Sequence, residues 1–288
     1  PFSNSSSIDM TQPGAFATAA SLCKCKKQQP QAALYLPQNS ARKLVQVIPM
    51  SECSYKSIKK LRGRLTKRFV HDVYQKKFRQ ASFLGVLTPQ RSLLQMEDEL
   101  VMWDHKSSLE ELFYQFALRQ FGALSLAKLS YPIRVADVIA RGALVSDSDA
   151  TVETNRSMAD QAAACLVEHS AMLKEYFSIE IEPKGGHAEL TGLPVLLPKY
   201  TPQPTGLSLF LLRLATEINW EHEQSCFDGI CKELSFFYAQ VPDDLHKAQT
   251  LVRHTLFPAS TCMWNSSKTS NFVALTTLNS LYRVFERC

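Results

Sequence analysis

Between residues 82 and 103 the chain alternates short apolar runs with polar, turn-forming residues. Ser82 to Leu87, Ser92 to Gln95 and Glu99 to Trp103 are each too short for a helix, which predicts an antiparallel meander. The period then lengthens. Leu109, Leu112, Phe113 and Phe116 recur at helical spacing, and Ser108 with Glu111 reads as a capping box that opens this helix. Pro132 to Ala143 predicts a second helix, and the polar stretch Asp147 to Arg156 reads as a loop. Met158, Ala162, Cys165, Leu166, His169, Met172, Leu173 and Tyr176 form one stripe, which predicts a helix over Met158 to Phe177.

Downstream, Ser178 to Glu182 and His187 to Leu197 flank Pro183-Lys-Gly-Gly186 and predict a hairpin. Leu207 to Ala215 is almost unbroken apolar sequence, which predicts a strand covered on both faces. Arg213 within it requires a partner or an edge. Glu221 to Gln240 and His246 to Leu256 read as helices, and Val273 to Leu278 as a late strand. Antiparallel strands with helices set apart from them make an α+β fold.

Upstream the pattern fades. Residues 1–40 are rich in Ser, Gln, Pro and Ala without a sustained period, and read as a flexible linker. Cys23 and Cys25 lie there. One pair does not fill four zinc positions, so they read as free thiols. Lys56 to Arg79 is strongly basic, while Ile58, Leu61, Leu65 and Val73 recur near helical spacing. Lys59, Lys60, Arg62 and Arg64 are candidate contacts to DNA phosphates or part of a nuclear import signal. A solvated helix face has the same composition.

Composition narrows the class. Hydrophobic residues are 45% and charged residues 20% of 288 residues, enough for a sizeable core. No apolar run is long enough to span a bilayer, and no secretory segment opens the chain. The eight cysteines lack a small-domain disulfide framework and read as reduced thiols of an intracellular protein. The net charge of +5 permits contact with nucleic acid without requiring it. No glycine-rich phosphate loop and no serine or cysteine triad is supported.

Three stretches carry a resemblance. The chain ends Leu-Tyr-Arg-Val-Phe-Glu-Arg-Cys over Leu281 to Cys288. Leu190 to Pro202 reads Leu-Thr-Gly-Leu-Pro-Val-Leu-Leu-Pro-Lys-Tyr-Thr-Pro and runs on into Gly206 to Trp220. Ser82 to Leu87 and Leu109 to Gln115 stand upstream in matching order. Over about residues 80 to 288 the chain resembles the C-terminal domain of the common subunit of the eukaryotic MutL heterodimers of DNA mismatch repair. The ATPase domain of that family is absent from the sequence. The resemblance implies a MutL C-terminal-like α+β fold, with an antiparallel or mixed sheet in a dimerisation subdomain over 41–130 and 178–288. A helical external subdomain over 131–177 would be inserted in it.

The resemblance also implies a division of chemistry. Pms-type partners carry an endonuclease signature that begins Asp-Gln-His-Ala and reaches a Glu six residues after the Asp. The equivalent stretch here is Asp104-His-Lys-Ser-Ser-Leu-Glu110, with Lys106 at the histidine position. An ammonium group has no lone pair for a metal. A later Cys-Pro-His element is missing as well; the nearest proline-containing stretch is Leu256-Phe-Pro-Ala259. His105 beside Asp104 offers a shifted register, but neighbours on a short turn diverge. The chain is therefore expected not to be an enzyme by itself.

Its expected role is heterodimerisation with a Pms-type subunit in the nucleus. Cys288 would supply a thiolate to a zinc shared with that partner, and Phe285, Glu286 and Arg287 would form the interface tail. Glu223 falls where the family uses an acidic residue to receive a basic-aromatic peptide from repair factors, including an exonuclease. An N-terminal helix-dipole role accounts for Glu223 equally well. Two alternatives stand beside this reading: an interaction scaffold whose tail does not touch metal, and a basic DNA-binding module using residues 56–79.

Overall fold

The computed structural model describes residues 16–18, 48–67, 73–146, 152–266 and 269–285. In chain order the strands are β1 (Phe16–Thr18), β2 (Ser82–Thr88), β3 (Arg91–Met96), β4 (Glu99–Asp104), β5 (Ser125–Arg134), β6 (Glu180–Lys184), β7 (His187–Val195) and β8 (Phe272–Thr277). The helices α1 (Lys56–Lys67) and α2 (Val73–Gln80) precede β2, and α3 (His105–Arg119) follows β4. Next come α4 (Val135–Ser146), α5 (Val152–Glu168), α6 (Ser170–Phe177), α7 (Leu207–Thr216) and α8 (Glu223–Tyr238). α9 (Leu245–Leu251), α10 (Phe257–Met263) and α11 (Leu278–Phe285) complete the series. The fold is α+β.

The described residues fall into two compact units. One spans 26–121, 196–203 and 217–288; the other spans 1–25, 122–195 and 204–216. The first holds an antiparallel sheet in the order β2-β3-β4-β8. Its inner face places Leu94, Met96, Val101 and Trp103 out of solvent. Trp103 meets Phe78 of α2 at 5.2 Å and Phe257 of α10 at 5.8 Å between ring centroids, and Phe78 also meets Trp264 at 5.4 Å. Such tilted and edge-on aromatic pairs contribute about 0.5–1.5 kcal/mol each beyond the area they bury. A second cluster stacks Phe113 of α3 on Tyr200 at 5.3 Å. The Tyr200 hydroxyl donates to the Tyr238 carbonyl at 2.6 Å, which anchors the proline-rich stretch in this unit.

The outer edge of β2 is covered by side chains rather than another strand. Gln249 Oε1 accepts from the Val86 amide at 2.7 Å, and Arg253 Nη2 donates to the Leu84 carbonyl at 2.8 Å. These bonds answer edge groups that would otherwise invite strand pairing. Arg253 lies in a π turn, Val252–Leu256, between α9 and α10. The single helix expected over His246 to Leu256 is therefore a broken one that runs on to Met263.

The second unit holds the sheet β1-β5-β7-β6 with α4, α5, α6 and α7. Its expected hairpin is present as β6 and β7. Glu180 of β6 is buried, and its carboxylate takes Lys128 of β5, Lys174 of α6 at 2.7 Å and the Thr191 hydroxyl of β7 at 2.8 Å. One carboxylate thus ties three strands and a helix. At Gly142 of α4 an added Cβ would stand 2.5 Å from Ser208 Cβ of α7, so the glycine sets how closely these helices approach.

Several expectations are corrected. Leu207 to Ala215 is not a strand but α7. Leu207, Phe210, Leu211 and Leu214 are its buried residues, a helical spacing hidden inside an unbroken apolar run. The helix expected from Ser108 begins at His105, because Asp104 caps it: Oδ1 accepts from the Ser107 amide at 3.0 Å and Oδ2 from the Ser107 hydroxyl at 2.9 Å. The segment 132–134 belongs to β5, and α4 starts at Val135. The helix expected over 158–177 begins earlier, at Val152, and breaks at His169 into α5 and α6. Within residues 1–40, expected to be a linker, Phe16–Thr18 pairs antiparallel with β5; Cys23 and Cys25 lie outside the described residues. The segment 131–177, expected as an external helical part, lies within the second unit. β5 pairs with β7 and α7 packs on α4 in that same unit.

Candidate functional site

The four-stranded sheet β2-β3-β4-β8 has an apolar face turned away from its core. Strand alternation sends Leu94, Met96, Val101 and Trp103 inward. The intervening residues Leu93, Leu100 and Met102 are each partly exposed. Leu93 pairs with Met102, and Met102 with Val273, so three apolar side chains form a cross-strand row. Val273 is 48% exposed, and Leu84, Leu87 and Leu275 are exposed at the irregularities of β2 and β8. An antiparallel sheet with one solvated face normally carries polar residues there. A contiguous apolar patch on a protein surface marks an interaction site.

The sequence carried a signal for this face. Leu100-Val-Met-Trp103 and Leu93-Leu94 are continuous rather than alternating apolar runs, as a strand covered on both sides requires. Reading them only as meander strands missed it.

The C-terminal segment starts at the edge of the same sheet. Leu278 follows β8 directly, and its amide donates to the Asp98 carbonyl at 2.7 Å. Thr277 Oγ1 accepts from the Ser280 amide at 3.3 Å and opens α11. Tyr282 on α11 is 65% exposed. Phe285 is the last residue of α11; Glu286, Arg287 and Cys288 lie outside the described residues.

Glu223 is the first residue of α8 and is exposed. Its Oε1 accepts a hydrogen bond from the Ser57 hydroxyl of α1. Phe227 stands one turn further on the same helix face and meets Tyr55 at 5.7 Å and Phe121 at 4.8 Å. A carboxylate thus stands one turn from an aromatic cluster whose Tyr55 is partly open to solvent. The adjacent Glu221 and His222 are also exposed, and their amides donate to Asn219 Oδ1 at 3.1 and 3.2 Å.

The basic residues of α1 divide. Lys59, Lys60 and Arg64 are exposed. Arg62 is not available as a phosphate contact. Its Nε donates to the Leu118 carbonyl at 2.8 Å, Nη1 to the Ser51 carbonyl at 2.8 Å, and Nη2 to the Ser51 hydroxyl at 2.9 Å and the Arg119 carbonyl at 3.2 Å. This guanidinium satisfies carbonyls at the end of α3, where helix carbonyls lack intrahelical donors.

Asp104 and His105 also have structural work. His105 is buried, with Nδ1 2.8 Å from Ser92 Oγ and Nε2 2.8 Å from the Pro89 carbonyl oxygen. A carbonyl only accepts, so Nε2 carries the hydrogen and Nδ1 accepts from the serine. Burial holds the imidazole pKa at about 4, although the Pro89 bond and Asp104 pull it upward. The ring points into the core and offers no shifted register for a metal. Lys106 is exposed. The Cys165 thiol is directed at the Ala215 carbonyl, 3.7 Å away, rather than being poised as a ligand. Among the described residues no group of three or more His, Cys, Asp or Glu side chains could hold a metal ion. Cys53, Cys165, Cys226, Cys231 and Cys262 form no disulfide among the described residues. No described helix is long and apolar enough to cross a membrane.

The family described as "DNA mismatch repair protein Mlh1 C-terminus" matches residues 54–288. The chain belongs to this family. It is 31% identical over 252 residues to "DNA mismatch repair protein Mlh1" of Dictyostelium discoideum, an alignment covering 76% of this chain and 28% of the relative. "DNA mismatch repair protein MLH1" of Saccharomyces cerevisiae is 30% identical over 264 residues, 81% of this chain and 33% of the relative. "Putative MutL protein homolog 1" of Schizosaccharomyces pombe is 27% identical over 221 residues, 72% of this chain and 31% of the relative. The chain spans about a third of the length of these relatives. The Mlh1 C-terminal match begins just before α1, so that helix, Glu223, the apolar sheet face and the tail all lie inside it.

Proposed function

We propose that this chain is a heterodimerisation domain of a MutL-type mismatch-repair protein, without catalytic activity of its own, pairing with a Pms-type subunit. The observation that carries the reading is the apolar row Leu93, Met102 and Val273, with the half-buried Leu100 on the same face of β4. An interface core is depleted in charge and rich in apolar side chains, and this face fits that composition. The position of α11 at the edge of the sheet supports a tail that follows the same interface. Family membership supports the choice of another MutL homologue as the partner.

In this reading Cys288 reaches the partner and donates a thiolate to its zinc. Zinc would supply Lewis-acid or structural chemistry on the partner's side; this chain's part would be to position one cysteine, whose thiolate form is the ligand. Asp104, capping α3, and His105, bonded into the core, support placing the endonuclease chemistry on the partner. Glu223, beside Tyr55 and Phe227, would receive a basic-aromatic peptide of a repair exonuclease or another repair factor. The setting is the nucleus, with DNA engaged by the assembled complex. In a second reading, the tail only packs against the partner and touches no metal.

Co-expression with a Pms-type subunit tests the assignment. A one-to-one complex by light scattering supports it, and separate elution of the two chains rejects it.

A further inference from the structure

α1 presents two chemically distinct sides. Ile58 and Leu61 are fully buried, and Arg62 is spent on backbone carbonyls. Lys56, Lys59, Lys60 and Arg64 are all exposed and fall at positions i, i+3, i+4 and i+8 of one helix face. They span about 12 Å along the axis. None of these cations forms an ion pair within the described residues. The carboxylates of the neighbouring α8 are occupied. Glu223 takes the Ser57 hydroxyl, while Asp228 takes the Tyr114 hydroxyl at 2.5 Å and Lys232 at 2.8 Å. Glu52, in the segment before α1, is an exposed acid nearby in sequence. Gly63 lies on the same side as the cations, and an added Cβ there would meet nothing within 4 Å. Nothing inside the chain requires a glycine at that point, but an approaching ligand gains room from it.

We infer that this face binds the phosphate backbone of duplex DNA. The charge array has one sign, is straight and is made mainly of lysines, which act as flexible point charges. It carries no aromatic or aliphatic side chain that could anchor a folded protein partner, which stable protein interfaces need. Duplex DNA offers one negative charge per roughly 1.7 Å, so a stretch as long as this face presents several phosphates to four cations. The family's printed description, a DNA mismatch-repair protein, makes DNA the polyanion of choice. Contacts of this kind hold and orient the duplex without reading its sequence. The inference rests on the α1 face and on the family match, and stands apart from the heterodimer reading.

The test is anisotropy of a fluorescent 30-bp duplex titrated with the full chain across a series of salt concentrations. Lys56→Gln, Lys59→Gln, Lys60→Gln and Arg64→Gln are combined in one variant, and Lys247→Gln on α9 serves as the control. The combined variant is expected to bind at least about tenfold more weakly at 100 mM salt. Its log–log salt slope should be shallower by about 3 to 4, at roughly 0.9 per lost contact. The control should change neither. Acetylation footprinting of the unmodified chain guards against misfolding of the variant, because DNA should shield Lys56, Lys59 and Lys60 but not Lys247. An unchanged slope with unshielded lysines overturns the inference. Tighter binding to polyglutamate than to DNA at equal charge also overturns it, in favour of an acidic protein partner.

Discussion

Ser92 of β3 and His105 at the start of α3 share a hydrogen bond of 2.8 Å in the buried interior. It joins the sheet that bears the apolar outer face to the helix beneath it. The other ring nitrogen is held by the Pro89 carbonyl, so both nitrogens of the neutral ring are satisfied, and it is burial that disfavours the charged form. Its folded pKa is about 4 against an ordinary value of 6.5. Between those two values the unfolded chain binds a proton that the folded chain refuses. Stability is therefore whole above pH 6.5, falls as the pH drops toward 4, and levels off below that. The loss is roughly 3 kcal/mol from the size of the shift. His105→Gln should remove this slope while lowering stability at pH 7. Urea midpoints at pH 7 and pH 4.5 check it; equal losses in native and variant chains would sink the assignment.

Glu180 behaves in the opposite chemical sense and in a lower window. Burial alone would raise its pKa, but hydrogen bonds from Lys128, Lys174 and Thr191 outweigh that and bring it to about 2. Its contribution is present above pH 4.5 and disappears as the pH falls toward 2. Glu180→Gln should cost about 1.5–3 kcal/mol at neutral pH, because the charge-assisted bonds are lost while the exposed ammonium groups return to water. Thermal melting of the variant at pH 7 and pH 3 checks this, and the gap to the native chain should narrow at the lower pH.

Much of this architecture could be read from the sequence, and the failures have physical causes. The meander β2-β3-β4 and the β6–β7 hairpin followed from short runs and turn residues. The strand expected over Leu207 to Ala215 failed because an apolar stretch with an exposed Leu209 conceals its period. Asp104 matches a carboxylate position of the partner's endonuclease signature but serves here as a helix cap, a role its position before Ser107 already allows. Arg62 looked like its basic neighbours, since only tertiary packing brings the ends of α3 and the Ser51 carbonyl to its guanidinium.

Cys288 is expected to lose alkylation when a Pms-type partner and zinc are both present, because a metal-bound thiolate is shielded. Deleting Cys288 should lower zinc occupancy and nicking by the heterodimer and leave pairing nearly unchanged. Removing Phe285 as well should weaken pairing. Metal analysis of the purified complex beside a nicking assay decides the matter. Full zinc and full nicking after the deletion would leave the tail as packing only.

Glu223→Lys is expected to weaken binding of a basic-aromatic exonuclease peptide by a few kcal/mol, since attraction becomes repulsion at the rim of the site. Ser57→Ala separates two roles of the carboxylate. It removes the bond to α1 but keeps the charge, so peptide affinity should stay within about threefold. Titration calorimetry with a synthetic peptide measures both, and an unchanged affinity in Glu223→Lys would reject the site.

The central claim is that the outer face of β2-β3-β4-β8 is where a partner binds. Met102 lies in the middle of that face, paired with Leu93 on one side and Val273 on the other. Met102→Asp together with Val273→Asp places two charges where a partner would bury them, with little consequence for a lone chain whose side chains there already meet solvent. Light scattering of the chain co-purified with a Pms-type subunit is the direct measurement. The native chain is predicted to run as a one-to-one complex and the double variant as a folded, separate chain. A double variant that still forms the complex at full yield would contradict the account.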